Sequence, residues 1–185
     1  MRQRGKDDVL PLVKLCISRG IGAAPAVFIS VKTANGDLID EVVFNRPTSL
    51  EDGPSSRTKT LDEDAISAIT SYIELNLAET VQIDRLAEES RMSEYHFFRR
   101  FKATFGTSPY ALITAIRLVW AKQLIIQTEL RVDVVADYVG IQNVSYFRRQ
   151  FRKRFNQTPA YFRQLKRASM SCHIDRCSSQ KNSRN

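Results

Sequence analysis

Residues 93–109 read SEYHFFRRFKATFGTSP, and residues 144–159 read VSYFRRQFRKRFNQTP. Four landmarks of the first stretch recur 50 positions later in the second. The corresponding pairs are Phe97 and Phe147, Phe101 and Phe151, Phe105 and Phe155, and Pro109 and Pro159. Such self-similarity indicates an internal duplication. Each copy is aromatic on one side and rich in arginine on the other, which favours nucleic-acid binding over catalysis.

The positive charge of the chain is concentrated near the second copy. The 185 residues carry a formal net charge of +8, and residues 142–168 contain no Asp or Glu. Eight basic residues lie in that segment: Arg148, Arg149, Arg152, Lys153, Arg154, Arg163, Lys166 and Arg167. The segment that opens at Leu61 is acidic by contrast, through Asp62, Glu63 and Asp64. This distribution predicts a polyanionic partner.

Several other classes of protein do not fit the sequence. There is no run of 18 apolar residues and no signal peptide, so we expect a cytoplasmic protein without a membrane partner. The odd set Cys16, Cys172 and Cys177 is typical of a reducing compartment. Cys172, His173 and Cys177 would form only a partial metal site, because a closed zinc site needs four ligands and the only other His is His96. We therefore predict no metal, no cofactor and no catalytic residue.

Composition divides the chain into four segments. Residues 1–44 contain a predicted β-hairpin around Asn35-Gly36, a dipeptide favoured in type I′ turns. This segment is a possible remnant of a sensor or dimerisation domain. Residues 45–60 are rich in Pro, Gly, Ser and charge, which is typical of a linker. We expect helices over residues 61–168 and a disordered basic tail over residues 169–185.

Seven helices are predicted within residues 61–168. Thr60 is the expected cap of the first helix, and Ser93 caps a third helix that ends at Gly106. The second helix opens after Gln82, and the third spans Glu94–Phe105. The fourth to seventh span Tyr110 to about Gln127, Val132–Val139, Val144–Phe155 and Pro159–Arg167. The predicted fold class is mainly α, a seven-helix bundle of two helix-turn-helix subdomains joined by a long linker helix and preceded by a short β-hairpin segment.

The turns support two helix-turn-helix motifs, at residues 81–106 and 132–156. Ala87 and Ala136 are small enough for each pair of helices to cross closely. Gly140 lies where the turn needs a left-handed residue, and Arg91 occupies the matching place in the first motif. A left-handed Arg91 would cost on the order of 1 kcal/mol, so we expect the first turn to be looser or differently shaped.

At 100° per residue, the phenylalanines of the two repeats fall on the inward face of their helices. The outward residues are Tyr95, Phe98, Arg99 and Lys102 in the first copy and Ser145, Arg148, Arg149 and Arg152 in the second. Because arginine binds guanine with two hydrogen bonds, Arg99 and Arg149 are the best candidates for reading bases. Lys102 and Arg152, one turn further along, are better placed for phosphates.

Structural roles compete with these assignments. Surface arginines usually only solvate a helix, and we assign all six phenylalanines of the repeat to the core. Phe98 fits partial packing against the second helix as well as a base contact. His96 borders the inward face, where it would be packed or contact phosphate. The outward residues occupy the same helical positions in both copies, which favours the functional interpretation.

The residues resemble the AraC/XylS family of bacterial transcription regulators. Residues 136–163 contain A-x3-GI, SYF-x3-FRK and TP-x-Y-x-R, and the first copy matches through HF-x-R-x-FK at residues 96–102. The resemblance implies a DNA-binding domain whose third and sixth helices enter successive major grooves. Arg91, Ile141 and Asn156 depart from the family pattern. The positions that it implies for base readout are Tyr95, Phe98, Arg99, Val144, Ser145, Arg148 and Arg149.

The resemblance also implies a regulator, an activator more often than a repressor, that works with RNA polymerase.

The predicted linker helix is about 27 Å long, which approaches the ~34 Å between major grooves on one face of DNA. A monomer or weak dimer could therefore bind two half-sites. The alternatives are a nonspecific architectural DNA-binding protein and, by analogy with regulators fused to a cysteine alkyl-acceptor module, an enzyme that uses Cys16.

Overall fold

A computed structural model describes residues 13–18, 26–32, 38–45, 60–79 and 81–165. Within these residues the fold class is mainly α, with seven helical segments after a short β-sheet, which confirms the predicted class. We label residues 159–165 α7. The other elements are β1 (Val13–Ser18), β2 (Ala26–Lys32), β3 (Leu38–Asn45), α1 (Glu63–Asn76), α2 (Ile83–Glu89), α3 (Glu94–Phe105), α4 (Pro109–Gln127), α5 (Val132–Tyr138) and α6 (Val144–Phe155).

The strands form a three-stranded antiparallel sheet in the order β1-β2-β3. Strands β2 and β3 are the two arms of the predicted hairpin, whereas β1 is absent from the sequence prediction. The residues of β1 alternate apolar and polar, VKLCIS, but residues 19–25 contain no two-residue hairpin signal that would join them to β2. The Asn35-Gly36 turn, linker residues 46–59 and the tail at 169–185 lie outside the described residues.

The chain divides within α4 into two units, Met1–Trp120 and Ala121–Asn185. Helix α4 is long and apolar enough to cross a membrane, but 61% of its most apolar window is buried. A mostly buried core helix of a water-soluble fold passes the same test, so this property indicates packing. The largest fully buried side chains of the first unit include Ile69, Ile73, Leu86, Phe97, Phe101, Phe105 and Ile116, and those of the second are Phe147 and Phe151.

Helix α1 begins two residues later than the sequence indicates. Asp62, not Thr60, is its N-cap, and its side chain accepts a hydrogen bond from the Ala65 N–H at 2.9 Å. The predicted cap at Thr60 is therefore wrong. Leu61 is buried, and its N–H donates to Thr104 Oγ1 on α3 at 2.8 Å. This hydrogen bond holds Leu61 outside the helix, so α1 starts only after the Asp62 cap.

The C-terminal end of α1 depends on an arginine from α4. No basic residue lies in the last turn of α1, where the final carbonyls have no partner within the helix. Arg117 donates from Nε to the Leu77 carbonyl at 3.1 Å and from its terminal nitrogen to the Glu79 carbonyl. Burial lowers the pKa of Arg117. These bonds tie α4 to α1 within the first unit.

The turns of the two helix-turn-helix motifs have the same backbone shape. Arg91 has φ 53° and Gly140 has φ 77°, so both occupy the left-handed region. The next N–H donates to equivalent carbonyls, from Met92 to Ala87 at 3.0 Å and from Ile141 to Ala136 at 2.8 Å. The expectation of a looser or different first turn is therefore wrong, because the hydrogen bonds hold Arg91 in the strained conformation.

The ends of the recognition helices also agree. Gly106 (φ 71°) ends α3 and Asn156 (φ 54°) ends α6, both in the left-handed conformation expected for such caps. One difference lies between turn and helix. A single residue separates Arg91 from the α3 cap Ser93, whereas Ile141 and Gln142 separate Gly140 from the α6 cap Asn143. The second motif therefore carries a one-residue insertion before its recognition helix.

Candidate nucleic-acid interface

The inward faces of α3 and α6 hold the two helices in equivalent positions within their motifs. The ring centroids of Phe97 and Phe101 are 5.5 Å apart, as are those of Phe147 and Phe151. Each helix thus packs one face through a column of rings, which leaves the opposite face to solvent. The duplication seen in the sequence is also a duplication of core packing.

Phe155 is the exception to the predicted core. Its equivalent Phe105 is fully buried, but Phe155 is only half-buried. Its ring contacts Phe162 of α7 edge-on, with centroids 5.9 Å apart, and Lys122 Nζ lies 5.2 Å from its centroid. A cation over an aromatic face is favourable where the ring is partly exposed. The assignment of all six phenylalanines to a buried core is therefore wrong for this one.

The outward face of α3 carries the residues predicted for the first copy. Tyr95 is 71% exposed, and Arg99 and Lys102 are also exposed. Together with Phe98 and Ser108 they line a shallow depression of 260 Å³. Ser108 was not singled out by sequence reasoning. The structure thus brings the four predicted side chains together on one surface.

Phe98 is half-buried, and its aromatic partners come from α3 and α4. Its ring centroid lies 6.1 Å from that of Phe97 and 6.2 Å from that of Tyr110, the second residue of α4. Tyr110 itself is 61% exposed. It was missed as a site residue because the sequence indicates only that it begins a helix. Its exposure and its contact with Phe98 make it part of the candidate interface.

The outward face of α6 is formed mainly by arginine. Arg148, Arg149, Arg152 and Ser145 are exposed, and Val144 is half-buried. The Arg149 guanidinium carbon lies 5.6 Å from the Tyr146 ring centroid, a distance that orients the guanidinium by a cation–π contact. Arg148, Arg149, Arg152 and Lys153 line a depression of 720 Å³, which also includes Val132, Thr158, Pro159 and Ala160.

The first turns of the two recognition helices differ in their capping. The Asn143 side chain accepts a hydrogen bond from the Tyr146 N–H at 2.9 Å. Ser93 occupies the equivalent position, but its hydroxyl lies 3.1 Å from His96 Nδ1 and makes no capping bond to the backbone. Helix α3 also begins with Glu94, whereas no acidic residue lies in the first turn of α6. The N-terminal end of α6 therefore carries no negatively charged side chain, unlike the N-terminal end of α3.

His96 does not border the core as expected. It is exposed, and it lies on a polar cleft of 840 Å³ that is separate from the outward face of α3. Asp62, Asp64 and Arg100 line the same cleft, which gives it charges of both signs. Among the residues that the structure describes, no group of three or more His, Cys, Asp or Glu side chains is suited to a metal ion.

Comparison with known proteins agrees with this geometry. A family model described as a helix-turn-helix domain matches residues 86–165. The bifunctional transcriptional activator/DNA repair enzyme AdaA of Bacillus subtilis is 38% identical over 104 residues, which are 56% of this chain and 49% of AdaA. The chain thus spans about half the length of this relative.

Solved structures give the same result. The crystal structure of a transcriptional regulator from Chromobacterium violaceum, described as AraC-type, matches with a TM-score of 0.52 and 27% identity, over 55% of this chain and 91% of that one. The DNA-binding domain of AdpA, solved with a target DNA, matches with a TM-score of 0.53 and 27% identity, over 57% and 96%. The helical part of this chain is therefore similar in sequence and in fold to the AraC-type regulator and to the DNA-binding domain of AdpA.

Proposed function

We propose that the chain is a sequence-specific regulator of transcription that binds double-stranded DNA in the cytoplasm. In this proposal α3 and α6 each enter a major groove, and the two grooves are successive. The observation that supports the proposal is that equivalent positions of α3 and α6 are exposed in both motifs. Three repeat positions are exposed in both motifs: Tyr95 and Ser145, Arg99 and Arg149, and Lys102 and Arg152.

The side chains of these faces suit distinct parts of a DNA groove. Arg99 and Arg149 would each give guanine two hydrogen bonds, because the guanidinium fork matches its two acceptors. Lys102 and Arg152, one turn further along, would contact phosphates and fix the position of the helix. The remaining residues proposed for base readout are Tyr95, Phe98, Val144, Ser145 and Arg148.

We assign the other segments by the same proposal. Residues 61–168 form the DNA-binding domain, with helix-turn-helix motifs at 81–106 and 132–156. Residues 1–44 would serve a sensor or dimerisation role, residues 45–60 a linker, and residues 169–185 a basic tail. We further propose that the protein activates transcription together with RNA polymerase, since the name of AdaA includes transcriptional activator. It would act as a monomer or weak dimer.

The proposed function includes no enzymatic step. AdaA is named a DNA repair enzyme as well as an activator, but its match covers 104 residues, 49% of its length. Cys16 lies in β1, and Cys172 and Cys177 lie outside the described residues. A thiol acceptor needs a deprotonated sulfur in a polar or metal-bound setting. A mass shift of Cys16 on exposure to alkylated DNA would contradict this part of the proposal.

The test begins with selection of bound sequences from a random DNA pool. Fluorescence anisotropy then measures the affinity of the full chain for the selected DNA and for random DNA. Arg99→Ala and Arg149→Ala should each reduce the ratio of these affinities by about 5- to 150-fold, since a bidentate base contact contributes about 1–3 kcal/mol. Matched controls remove an exposed arginine from another element of each unit, Arg85→Ala in α2 and Arg131→Ala before α5.

The alternative function is nonspecific architectural binding, and the same experiment distinguishes it. A protein that holds only phosphates binds all sequences alike, and its affinity falls steeply with salt. In that case the random pool would yield no enriched sequence. Arg99→Ala and Arg149→Ala would then weaken binding to every DNA equally, in step with Arg85→Ala and Arg131→Ala, and the proposal would be overturned.

Activation is tested separately by transcription in vitro. A template that carries the selected site upstream of a weak promoter should give more transcript with RNA polymerase and the protein than with RNA polymerase alone. The Arg149→Ala variant is compared at a protein concentration at which the original chain saturates the selected site but the variant does not. At that concentration the variant should give no increase in transcript. Less transcript in the presence of the protein would indicate a repressor and contradict the proposed activation, without affecting DNA recognition.

A further inference from the structure

The surfaces around α3 and α6 differ at two neighbouring positions, one on the recognition helix and one on the helix that follows it. Phe98 and Arg148 are equivalent by the 50-residue repeat, and so are Tyr110 and Ala160. In the first motif the two positions hold an aromatic pair, and in the second they hold a cation and a small residue. Each motif therefore has its own chemistry where a base would lie.

Phe98 and Tyr110 form what we call the aromatic platform. Their ring centroids are 6.2 Å apart with planes inclined at 33°, and Phe97 supports Phe98 from the core side at 6.1 Å. Phe98 lies between a buried ring and an exposed one, which restricts its rotation, and it lines the depression on α3. Such a held apolar surface binds apolar groups without a large loss of side-chain entropy.

The second motif has no such platform in the part of the chain that the structure describes. Ala160 leaves room beside Arg148, and the resulting depression of 720 Å³ is lined by four basic side chains. Arg149 is further oriented by the Tyr146 ring. This surface offers hydrogen-bond donors, whereas the surface at α3 offers apolar carbon beside the single arginine Arg99 and Lys102.

The geometry points to two half-sites of different base composition. The thymine C5-methyl is the apolar group in the major groove, and guanine offers two acceptors that fit arginine. We infer that α3 reads thymine methyls through the aromatic platform and Tyr95, beside the one guanine assigned to Arg99, whereas α6 reads guanines through both Arg148 and Arg149. This inference rests on the proposed function, sequence-specific DNA binding. Tyr110 is a positioning residue in it, since it acts through Phe98.

The test uses base analogues in the DNA site selected by the full chain. Each thymine is replaced in turn by uracil, which lacks only the methyl group. At one or more thymines of one half-site, this replacement should lower the affinity of the protein for the DNA about fourfold. That is the effect of about one buried carbon atom. Each guanine is replaced in turn by 7-deazaguanine, which lacks one acceptor. In the other half-site this should lower affinity on the order of five- to tenfold, within the range for a bidentate contact.

Variants assign each effect to its helix. With Phe98→Ala the loss caused by uracil should disappear, while the loss caused by 7-deazaguanine persists. Arg149→Ala should remove the loss caused by 7-deazaguanine at one guanine of the other half-site, while the loss caused by uracil persists. Tyr110→Ala should reduce the uracil effect without changing the affinity for DNA that already contains uracil. The control is Leu75→Ala, which changes an apolar residue of α1 that is 85% exposed. It should change neither the uracil effect nor the 7-deazaguanine effect.

An exchange of the two surfaces gives a stronger test. Phe98→Arg combined with Tyr110→Ala places the residues of the second motif on the first. Selection with this variant should replace thymine by guanine in one half-site and leave the other unchanged. An unchanged preference in a folded double variant would overturn the inference.

The outcomes separate the inference from the proposed function. If no sequence is enriched, the proposed function fails. If a sequence is enriched but every thymine tolerates uracil, the inference fails and the proposed function stands. The measurements with uracil and 7-deazaguanine use the original chain, so they decide the inference even where a variant does not fold.

Discussion

The two helix-turn-helix motifs share their interior and differ on their surface. Phe97 and Phe101 have the same ring spacing as Phe147 and Phe151, and the turns at Arg91 and Gly140 have the same left-handed backbone. Outside, an aromatic pair in one motif corresponds to arginine and alanine in the other. The difference teaches that packing limits the inward positions, whereas the outward positions can diverge because they bear few contacts.

The largest expected effect concerns Phe105 and its equivalent Phe155. Phe105→Ala should lower the free energy of unfolding by about 3–5 kcal/mol, because the ring is fully buried. Phe155→Ala should lower it by about 1–2 kcal/mol, within the ordinary range for substitutions, because this ring is half-exposed. Urea denaturation followed by circular dichroism measures both. Equal losses would show that the ends of the two helices are packed alike.

A second prediction concerns the geometry of Arg149 rather than its charge. Arg149→Lys should weaken binding to the selected site by about 1–3 kcal/mol, because an ammonium cannot reproduce the two parallel hydrogen bonds of the fork. Binding to random DNA should be unchanged, since the charge is kept. Fluorescence anisotropy at one fixed salt concentration measures both affinities, with Arg131→Lys as control. A parallel loss on random DNA would assign Arg149 to phosphate contact.

A third prediction compares the N-caps of α3 and α6. Asn143→Ala should lower the free energy of unfolding by about 1 kcal/mol, because the Asn143 side chain accepts the Tyr146 N–H. Ser93→Ala should change it by only a few tenths, as is usual at the surface, because the Ser93 hydroxyl contacts His96 and makes no capping bond. Urea denaturation of the two variants checks the difference. A larger effect at Ser93 would contradict the observed capping.

The smallest expected effect concerns the turns. Arg91→Gly should raise the free energy of unfolding by about 0.5–1 kcal/mol, since it removes left-handed strain but gives the unfolded chain more freedom. Gly140→Arg should lower it by a similar amount for the same reasons. Thermal unfolding of the two variants should shift in opposite directions. Shifts in the same direction would show that side-chain contacts, not backbone strain, dominate at these turns.

Local signals in the sequence predicted much of the fold. The seven helical segments, the caps at Gly106 and Asn156 and the bounds of α3 and α6 follow from periodicity and capping, which depend on near neighbours. The N-cap of α1 does not, because a buried hydrogen bond between Leu61 and Thr104 decides where that helix can begin. Strand β1 was missed because a strand without a tight hairpin turn has only a weak local signal.

The candidate site was predictable to a lesser extent. Helical phase alone brings Tyr95, Arg99 and Lys102 to one face, since these residues lie on a single helix. Tyr110 belongs to the next helix, and its contact with Phe98 depends on how α4 leaves α3. The partial exposure of Phe155 likewise depends on α7 and Lys122. Contacts between elements decide both cases, and no periodicity encodes them.

The contact between Phe98 and Tyr110 has an evolutionary consequence. After the duplication, a change at one of these positions alone would leave a ring without support or a cavity beside an arginine. Mutational paths that alter the surface of one motif should therefore pass through both positions within a few steps. Among descendants of this chain the two residues should covary as a pair, and Arg148 and Ala160 should do the same in their own motif. Regulators that diverge from a common ancestor would then change their targets in paired mutational steps, one motif at a time.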